Sequence, residues 1–441
     1  MARAERTTLG ALFAVFTLAA IAPLRSYDLF WHLATGRWIV EHRALPLHDP
    51  FAVASDRVPW INGEWLFEVL LHPLHALVGL HGLSIVRGVL AAAIFALAFR
   101  FSREESPLVA AVAFAGAMAT FDLRPSSVAL LFVVLALHAR MPLAHFVIAL
   151  LWINIHPSAL LAPLIAWCVT RRIAPTAASA VALLCNPFGW RAIAAPIALT
   201  RFVGSGAFVN AEWLPSAPAI FPLLYFALLL AIVAVVTDKQ RDWWRIALLA
   251  LFAFLAIRHV RNQGLFFAAL PMLVRLPRMA RAVALTTSAA VIAFVAIIAD
   301  HHTGISRRRF PIDAVARLHA SRLRGNIYNP DQFGGLLIYA FYPQRRALTD
   351  GRNELYRTFI PEYARARGDE RAWRALLRKY RIDVAIDERR PPLEVVDALT
   401  GRKRMMDASL AYWPRKEWVL LYEDEVAIVV ARRSALSSPS R

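Results

Sequence analysis

Cysteine is nearly absent from this 441-residue chain: Cys168 and Cys185 are the only two, both inside apolar stretches. They cannot build a disulfide framework or a Cys-rich metal centre, so they read as buried free thiols. Other signatures are missing too. The sequence holds no Asp-x-Asp pair of the kind that clamps the metal of a nucleotide sugar, and no HExxH-type spacing. It has no Walker loop, no dinucleotide fingerprint and no internal repeat. Acidic residues are scarce, 31 against 50 Lys and Arg, which leaves a formal charge of +19. No nucleic-acid motif accompanies that charge, and much of the Arg flanks apolar runs, so nucleic acid is not the expected partner.

What the chain does have is apolar residues, 58% of the total. They fall in long runs, the mark of a protein that partners a lipid bilayer. Candidate spans are residues 7–24, 83–101, 107–121, 126–140, 142–155, 157–170, 175–187, 219–237, 244–258, 263–275 and 280–299. The first follows Arg3 and Arg6 and has the length of a retained signal anchor. With the N-terminus in the cytoplasm, the inner connections hold Arg100, Arg103, Arg140, Arg171, Arg172 and the basic residues of 239–245 and 275–281, as the positive-inside rule expects. The first loop (25–82) and the C-terminal domain then face outward. Residues 65–80 are apolar enough to span but carry Glu68, His72 and His75. A helix on the outer leaflet keeps the charge pattern consistent, and a crossing does not.

The fold class predicted is mainly α: a polytopic helical membrane bundle of about eleven spans with a small α/β soluble C-terminal domain. The domains are 1–299, which includes the first outer loop, and 300–433 outside the membrane, with a disordered tail over 434–441. A multi-pass protein of the plasma (inner) membrane is expected. In the C-terminal part, Pro311 suits the start of a helix, and another runs from 369 to 381. Strand-like runs occur at 326–329, 347–349, 383–387, 419–422 and 426–431, the last two forming a hairpin.

Polar residues near span ends are expensive in lipid and tend to be functional. By this topology most lie outside: Asp28, His32, Asp122, Arg124, Asn154, His156, Asn186, Glu212, Arg258, His259, Arg261 and Asn262. Asp28 and His32, four residues apart, share a helix face. Asp28 is a candidate general base, with Asp49 or Glu64 as a second carboxylate. Helix capping is the structural alternative for Asp28, and interfacial anchoring is the one for Trp31, Trp38, Trp60 and Trp65. His32, His48 and Asp49 are a scattered set through which a divalent metal is conceivable; no cofactor is assigned, and no metal-ligand set. Arg258-His259-Val260-Arg261-Asn262 is a dense cationic cluster. With Arg124 it suits a lipid phosphate or diphosphate; salt bridges to Asp122 or Glu212, or contact with lipid head groups, are the alternatives. Asn329-Pro330-Asp331-Gln332 and Thr349-Asp350-Gly351-Arg352 have the chemistry of turns, or of a cleft facing the membrane.

The pattern Asp28…Trp31-His32…Gly36, then Asp49-Pro50-Phe51, Trp60…Glu64-Trp65, Arg124-Pro125, Asn154…His156, Asn186-Pro187, Glu212-Trp213 and Asp350-Gly351-Arg352 resembles a group of poorly characterised bacterial membrane proteins, from about residue 25 to 430. That group is similar in layout to the GT-C glycosyltransferase superfamily. The resemblance implies a sugar donor on a polyprenyl phosphate and places Asp28 at the position of the first-loop catalytic carboxylate. The chain departs from the superfamily in having Trp31-His32 where many members carry a second acidic residue.

The function expected is a GT-C-like transfer of a sugar from a polyprenyl-phosphate donor to the hydroxyl of an extracytoplasmic glycan, lipid or protein acceptor. Asp28 and His32 are the catalytic candidates. Glu64, Arg124, His156, Arg258, His259, Arg261 and Asn262 are the substrate-binding ones. The alternatives are a non-enzymatic lipid or glycan transporter, an envelope-assembly partner, and a ligase acting on diphosphate-linked glycans.

Overall fold

The computed structural model describes residues 3–102, 106–206, 210–276, 281–298, 300–321, 323–396 and 403–437. Two compact units emerge, one of Met1–Ser26 with Ile61–Ile305, the other of Tyr27–Trp60 with Ser306–Arg441. The sequence places a boundary at 300; the compact units divide after residues 26, 60 and 305. It assigns residues 27–60 to the first domain, whereas they fold with the C-terminal part.

The first unit is helical. Its long elements are Arg3–Ala20, Trp65–Arg100, Pro107–Met118, Pro125–His138, Pro142–Ile153, Ala162–Thr170, Ile173–Ala182, Arg191–Gly204, Pro222–Thr237, Trp243–Arg258, Gln263–Leu273 and Arg281–Ile298. Proline opens several of them, at 107, 125, 142 and 222, where its missing N–H costs nothing and its fixed φ suits the first turn. The helices Pro107–Met118 and Gln263–Leu273 are buried almost all round and form the centre. Peripheral helices turn large apolar side chains outward: Ile173 is 79% exposed, Val236 70% and Ile297 81%. Water would penalise such a surface; hydrocarbon would not. Among the described residues one helix, Trp65–Arg100, is long and apolar enough to cross a membrane alone, and eight shorter apolar helices accompany it. Helix Arg191–Gly204 has no counterpart among the expected spans.

Gly79 breaks the helical run of Trp65–Arg100. Its φ of 65° lies in the left-handed region that glycine alone enters without strain. The break falls where the sequence separates 65–80 from the span that follows. Beyond it, Arg87 is buried. Its Nη2 donates to the Phe121 carbonyl at 2.8 Å, its Nη1 donates to the Ala20 carbonyl, and its Nε lies 3.6 Å from Asp122 Oδ1. Asp122 in turn accepts from the backbone N–H groups of Arg25, Ser26 and Leu123. This pair closes the C-terminal end of the first helix against the 121–123 turn. Asp122, singled out as an outer polar residue, is thereby occupied structurally.

The second unit contains a four-stranded sheet. Its strands are β1 (Asn326–Tyr328), β2 (Ile382–Glu388), β5 (Trp418–Glu423) and β6 (Ala427–Arg432), in the order β1-β2-β6-β5. β1 and β2 are parallel and the other pairs antiparallel. β3 (Leu393–Val396) and β4 (Lys403–Met406) make a separate hairpin. Strand β6 is buried along its first five residues, as its apolar run requires. The β5–β6 hairpin matches the expected one. Residues 346–348 pair with Ile327, and residues 53–54 then donate to the Ala347 and Leu348 carbonyls at 3.0 and 3.1 Å. Residues 346–348 thus cover the β1 edge, and the first-loop segment covers theirs, where unpaired N–H and C=O groups would otherwise be presented. Helix Asp331–Phe341 follows β1 and packs on helix Leu29–His42. Gly335 makes that possible: a Cβ there would lie 2.8 Å from the Tyr27 carbonyl oxygen, while one on the neighbouring Gly334 would lie 2.0 Å from the Thr349 carbonyl oxygen. Residues 434–437, expected in a disordered tail, form the helix Arg433–Ser437; residues 438–441 lie outside the described ones.

Candidate active site

Asp28 and His32 belong to the second unit; the other seven candidates belong to the first. Asp28 sits half-buried at the N-cap position of helix Leu29–His42, yet its side chain makes no capping bond. Its Oδ1 instead accepts from Trp31 Nε1 at 3.2 Å, and a Cβ on Gly351 would come within 3.0 Å of the same oxygen. The carboxylate is therefore held by an indole three residues along, beside the Gly351 turn, and is not spent on the helix end. His32 is buried, and its ring lies 3.6 Å from that of Trp31. Among the anchoring tryptophans, Trp31 and Trp60 are buried, so these two do not serve as interfacial anchors.

Near Asp28 lies a buried cluster of charges. Arg352 donates to Asp350 through Nε at 2.8 Å and Nη2 at 2.6 Å, and its Nη1 faces Asp49 Oδ1 at 3.0 Å. The forked guanidinium matches a carboxylate edge, which a lysine would not. Tyr356 donates to Asp350 at 2.6 Å. Three rings close round the cation, with Trp60, Phe51 and Trp31 at 4.5, 5.4 and 5.6 Å from its centre. Burial works against the charge of Asp350, but the Arg352 guanidinium outweighs it and holds the carboxyl below the ordinary range. Burial likewise opposes the charge of Arg352, and Asp350 and Asp49 overcome it. Asp49 also accepts from the N–H groups of Phe51 and Ala52 and from the Ser55 hydroxyl. Asp49 is thus committed to this cluster, which corrects its reading as a second carboxylate or a metal ligand. His48 is exposed, and among the described residues no three His, Cys, Asp or Glu side chains gather as a metal set.

Glu354 drew no attention in the sequence. Burial raises its carboxyl above the ordinary value, and the charges of Asp350 and Asp28 add to that rise. Its side chain keeps partial surface exposure while protein encloses it on the remaining sides. The turn motif that follows Asp350 was the available signal.

In the first unit Glu64 Oε1 lies 4.0 Å from His156 Nε2. His156 Nδ1 accepts from the backbone N–H of Ser158 at 3.1 Å, which leaves the proton of the neutral ring on Nε2, facing Glu64. Alongside, Trp65 Nε1 donates to Asn154 Oδ1 at 2.9 Å, and Asn154 Nδ2 donates to the Cys185 carbonyl. The charges acting on the His156 ring are those of Arg261 and Arg124. Arg124 pairs with Glu212, the alternative anticipated for it. Arg261 stacks over Trp213 at 4.8 Å, and His259 Nδ1 meets the Trp213 carbonyl at 2.6 Å. Arg258 is exposed on the last turn of its helix, and Asn262 sits half-buried at the start of the next. Among the described residues no ion pair joins Arg258 or Arg261 to a carboxylate. The structure thus joins Glu64 with His156, Arg124 with Glu212, and Arg261 and His259 with Trp213.

No protein-family model matches the chain, and no curated protein matches it in sequence. Solved structures do. The oligosaccharyltransferase AglB of Archaeoglobus fulgidus, in complex with an inhibitory peptide and a dolichol-phosphate, superposes with a TM-score of 0.57 at 8% identity, over 93% of this chain and 75% of that one. The oligosaccharyltransferase of the same organism in its apo form gives 0.55 at 9% identity, over 92% and 74%. A complex with zinc and sulfate gives 0.53 at 10%, over 90% and 73%. The chain therefore shares its fold with the archaeal oligosaccharyltransferase.

Proposed function

We propose that the chain is a multi-pass membrane glycosyltransferase that moves a sugar from a polyprenyl-phosphate carrier to an acceptor hydroxyl outside the plasma membrane. The observation that carries this reading is the setting of Asp28. It is a carboxylate just beyond the first helix, aimed by Trp31 and spent on no cap, in a fold shared with an oligosaccharyltransferase. The dolichol-phosphate in that relative supports a lipid-linked donor.

In the proposed reaction the acceptor oxygen attacks the anomeric carbon while the bond from that carbon to the phosphate oxygen breaks, and the configuration inverts. Asp28 takes the hydroxyl proton. The phosphate leaves on the lipid as an anion. Arg124 and Arg261 stabilise its charge, with Arg258 on the approach and His156 and Asn262 as hydrogen-bonding groups. Glu64 holds the His156 ring. His32 fixes the first turn of the Asp28 helix through its contact with Trp31. About eleven crossings, a cytoplasmic N-terminus and an outward C-terminal domain complete the proposal; the acceptor class is a glycan, a lipid or a protein.

The test uses purified full-length protein in nanodiscs with a panel of short-chain polyprenyl-phosphate hexoses and pentoses and octyl glycosides as acceptors. Asp28→Asn keeps the size and hydrogen bonding of the side chain but removes the base. Transfer by the unaltered protein and its loss in Asp28→Asn, at an unchanged melting temperature, is the expected result. Full activity in the variant would sink the assignment.

A further inference from the structure

We infer that Arg352 and Trp31 are positioning residues for Asp28. The inference rests on Asp28 being the base and extends that reading to a second tier of residues. Arg352 is fully enclosed and pinned on two sides, by Asp350 and by Asp49. Two hydrogen bonds to Asp350 orient its guanidinium plane, and Asp49 faces the remaining Nη1. Trp31 is one of the three rings laid against it, 5.6 Å from its centre, and the same indole donates its only N–H to Asp28 Oδ1. The residue before Arg352 is Gly351, which meets that oxygen from the other side: even one carbon added there would reach it at 3.0 Å. The Arg352 backbone N–H donates to Asp350 Oδ1 at 2.9 Å and fixes the turn that carries Gly351. Two routes thus run from one buried cation to one carboxylate oxygen, through the Trp31 ring and through the 350–352 backbone.

A purely structural clamp needs only charge and bulk at position 352. A positioning clamp needs the planar fork, because that shape sets the Trp31 ring and the turn together. Arg352→Lys keeps the charge and loses the fork. Trp31→Phe keeps the ring and loses the N–H.

The experiment measures turnover with the donor panel above for the full-length protein, both single variants and the double variant. Each single change is expected to lower kcat about 10- to 100-fold, the scale of a misplacement near one ångström, while the donor KM moves by less than about twofold. The double variant is expected to fall no further than the worse single one, because both changes break one linkage. Losses that multiply, or kcat at the unaltered level in either variant, overturn the inference. A second readout needs no donor: carbodiimide labelling of Asp28 in the full-length protein, read by peptide mass spectrometry. Labelling is expected to rise several-fold in each variant, and unchanged labelling refutes the proposal even if Arg352→Lys does not fold, since Trp31→Phe carries the test alone. An active Asp28→Asn would defeat the reading of the base itself. An inactive Asp28→Asn beside fully active Trp31→Phe and Arg352→Lys would defeat only the positioning.

Discussion

Replacing Arg352 with Met tests the buried cluster as a stability element. Met matches the length of the arginine stem and fills much of the space between Trp60, Phe51 and Trp31. What it removes is the cation shared by two enclosed carboxylates, Asp49 and Asp350. Asp49 keeps its two backbone donors and Ser55, while Asp350 keeps Tyr356 and the backbone N–H of residue 352. Breaking a buried pair by removing one partner costs about 3–5 kcal/mol. For a unit of this size each kcal/mol lowers Tm by about 2–4 °C, so a fall of about 6–20 °C is expected. The sign of the pH dependence follows from Asp350. In the unaltered protein its folded-state carboxyl lies below the ordinary 3.8. Its stabilising contribution is present above that value and is lost as pH falls through the folded-state value. Without the guanidinium, burial opposes the Asp350 charge with only Tyr356 and the backbone N–H of residue 352 left to support it, so the penalty is greatest at neutral pH and shrinks as the group protonates. The assay is thermal unfolding of both full-length proteins in detergent at pH 8 and pH 5, followed by tryptophan fluorescence. A Tm gap below about 2 °C at pH 8, or a gap that widens toward pH 5, refutes the reasoning.

Two further outcomes follow from the same unit. Glu354→Gln should make the protein more resistant to unfolding as pH rises. The folded-state carboxyl of Glu354 is raised, so its favourable contribution is full below 4.5 and is lost as pH climbs through the raised value. Melts at pH 5 and pH 8 should show the variant gaining on the unaltered protein at the higher pH, and an equal difference at both rejects the raised carboxyl. Gly334→Val should fail to give a monodisperse peak on size exclusion or should melt at a lower temperature. Its Cβ would stand 2.0 Å from the Thr349 carbonyl and 2.7 Å from the Asp350 Cα, both backbone atoms with no rotamer to yield, and overpacking of this kind costs about 1–3 kcal/mol or more. A fully stable valine variant would show that the contact is looser than the structure has it.

The apolar runs were legible from composition and spacing alone, because an apolar helix that satisfies its own backbone needs only length and hydrophobicity to declare itself. The break at Gly79, the β5–β6 hairpin and the strands β1 and β2 were local in the same sense. So was Asp28, which stands out as a carboxylate just past an apolar segment. Tertiary structure alone decided which unit the first loop joins. Residues 27–60 are separated from Asp350 and Arg352 by some three hundred positions, and nothing in either segment announces that Asp49 and Arg352 pair or that residues 53–54 pair with 347–348. The same distance hid the role of Trp31, which reads as an interfacial anchor until its indole is seen between a buried cation and the Asp28 oxygen. Arg87 was overlooked because a charge inside an apolar run declares its cost but not its partner, and Asp122 lies in another turn. Secondary structure follows from neighbours along the chain; the pairing of buried charges follows from neighbours in space, and only the folded chain supplies those.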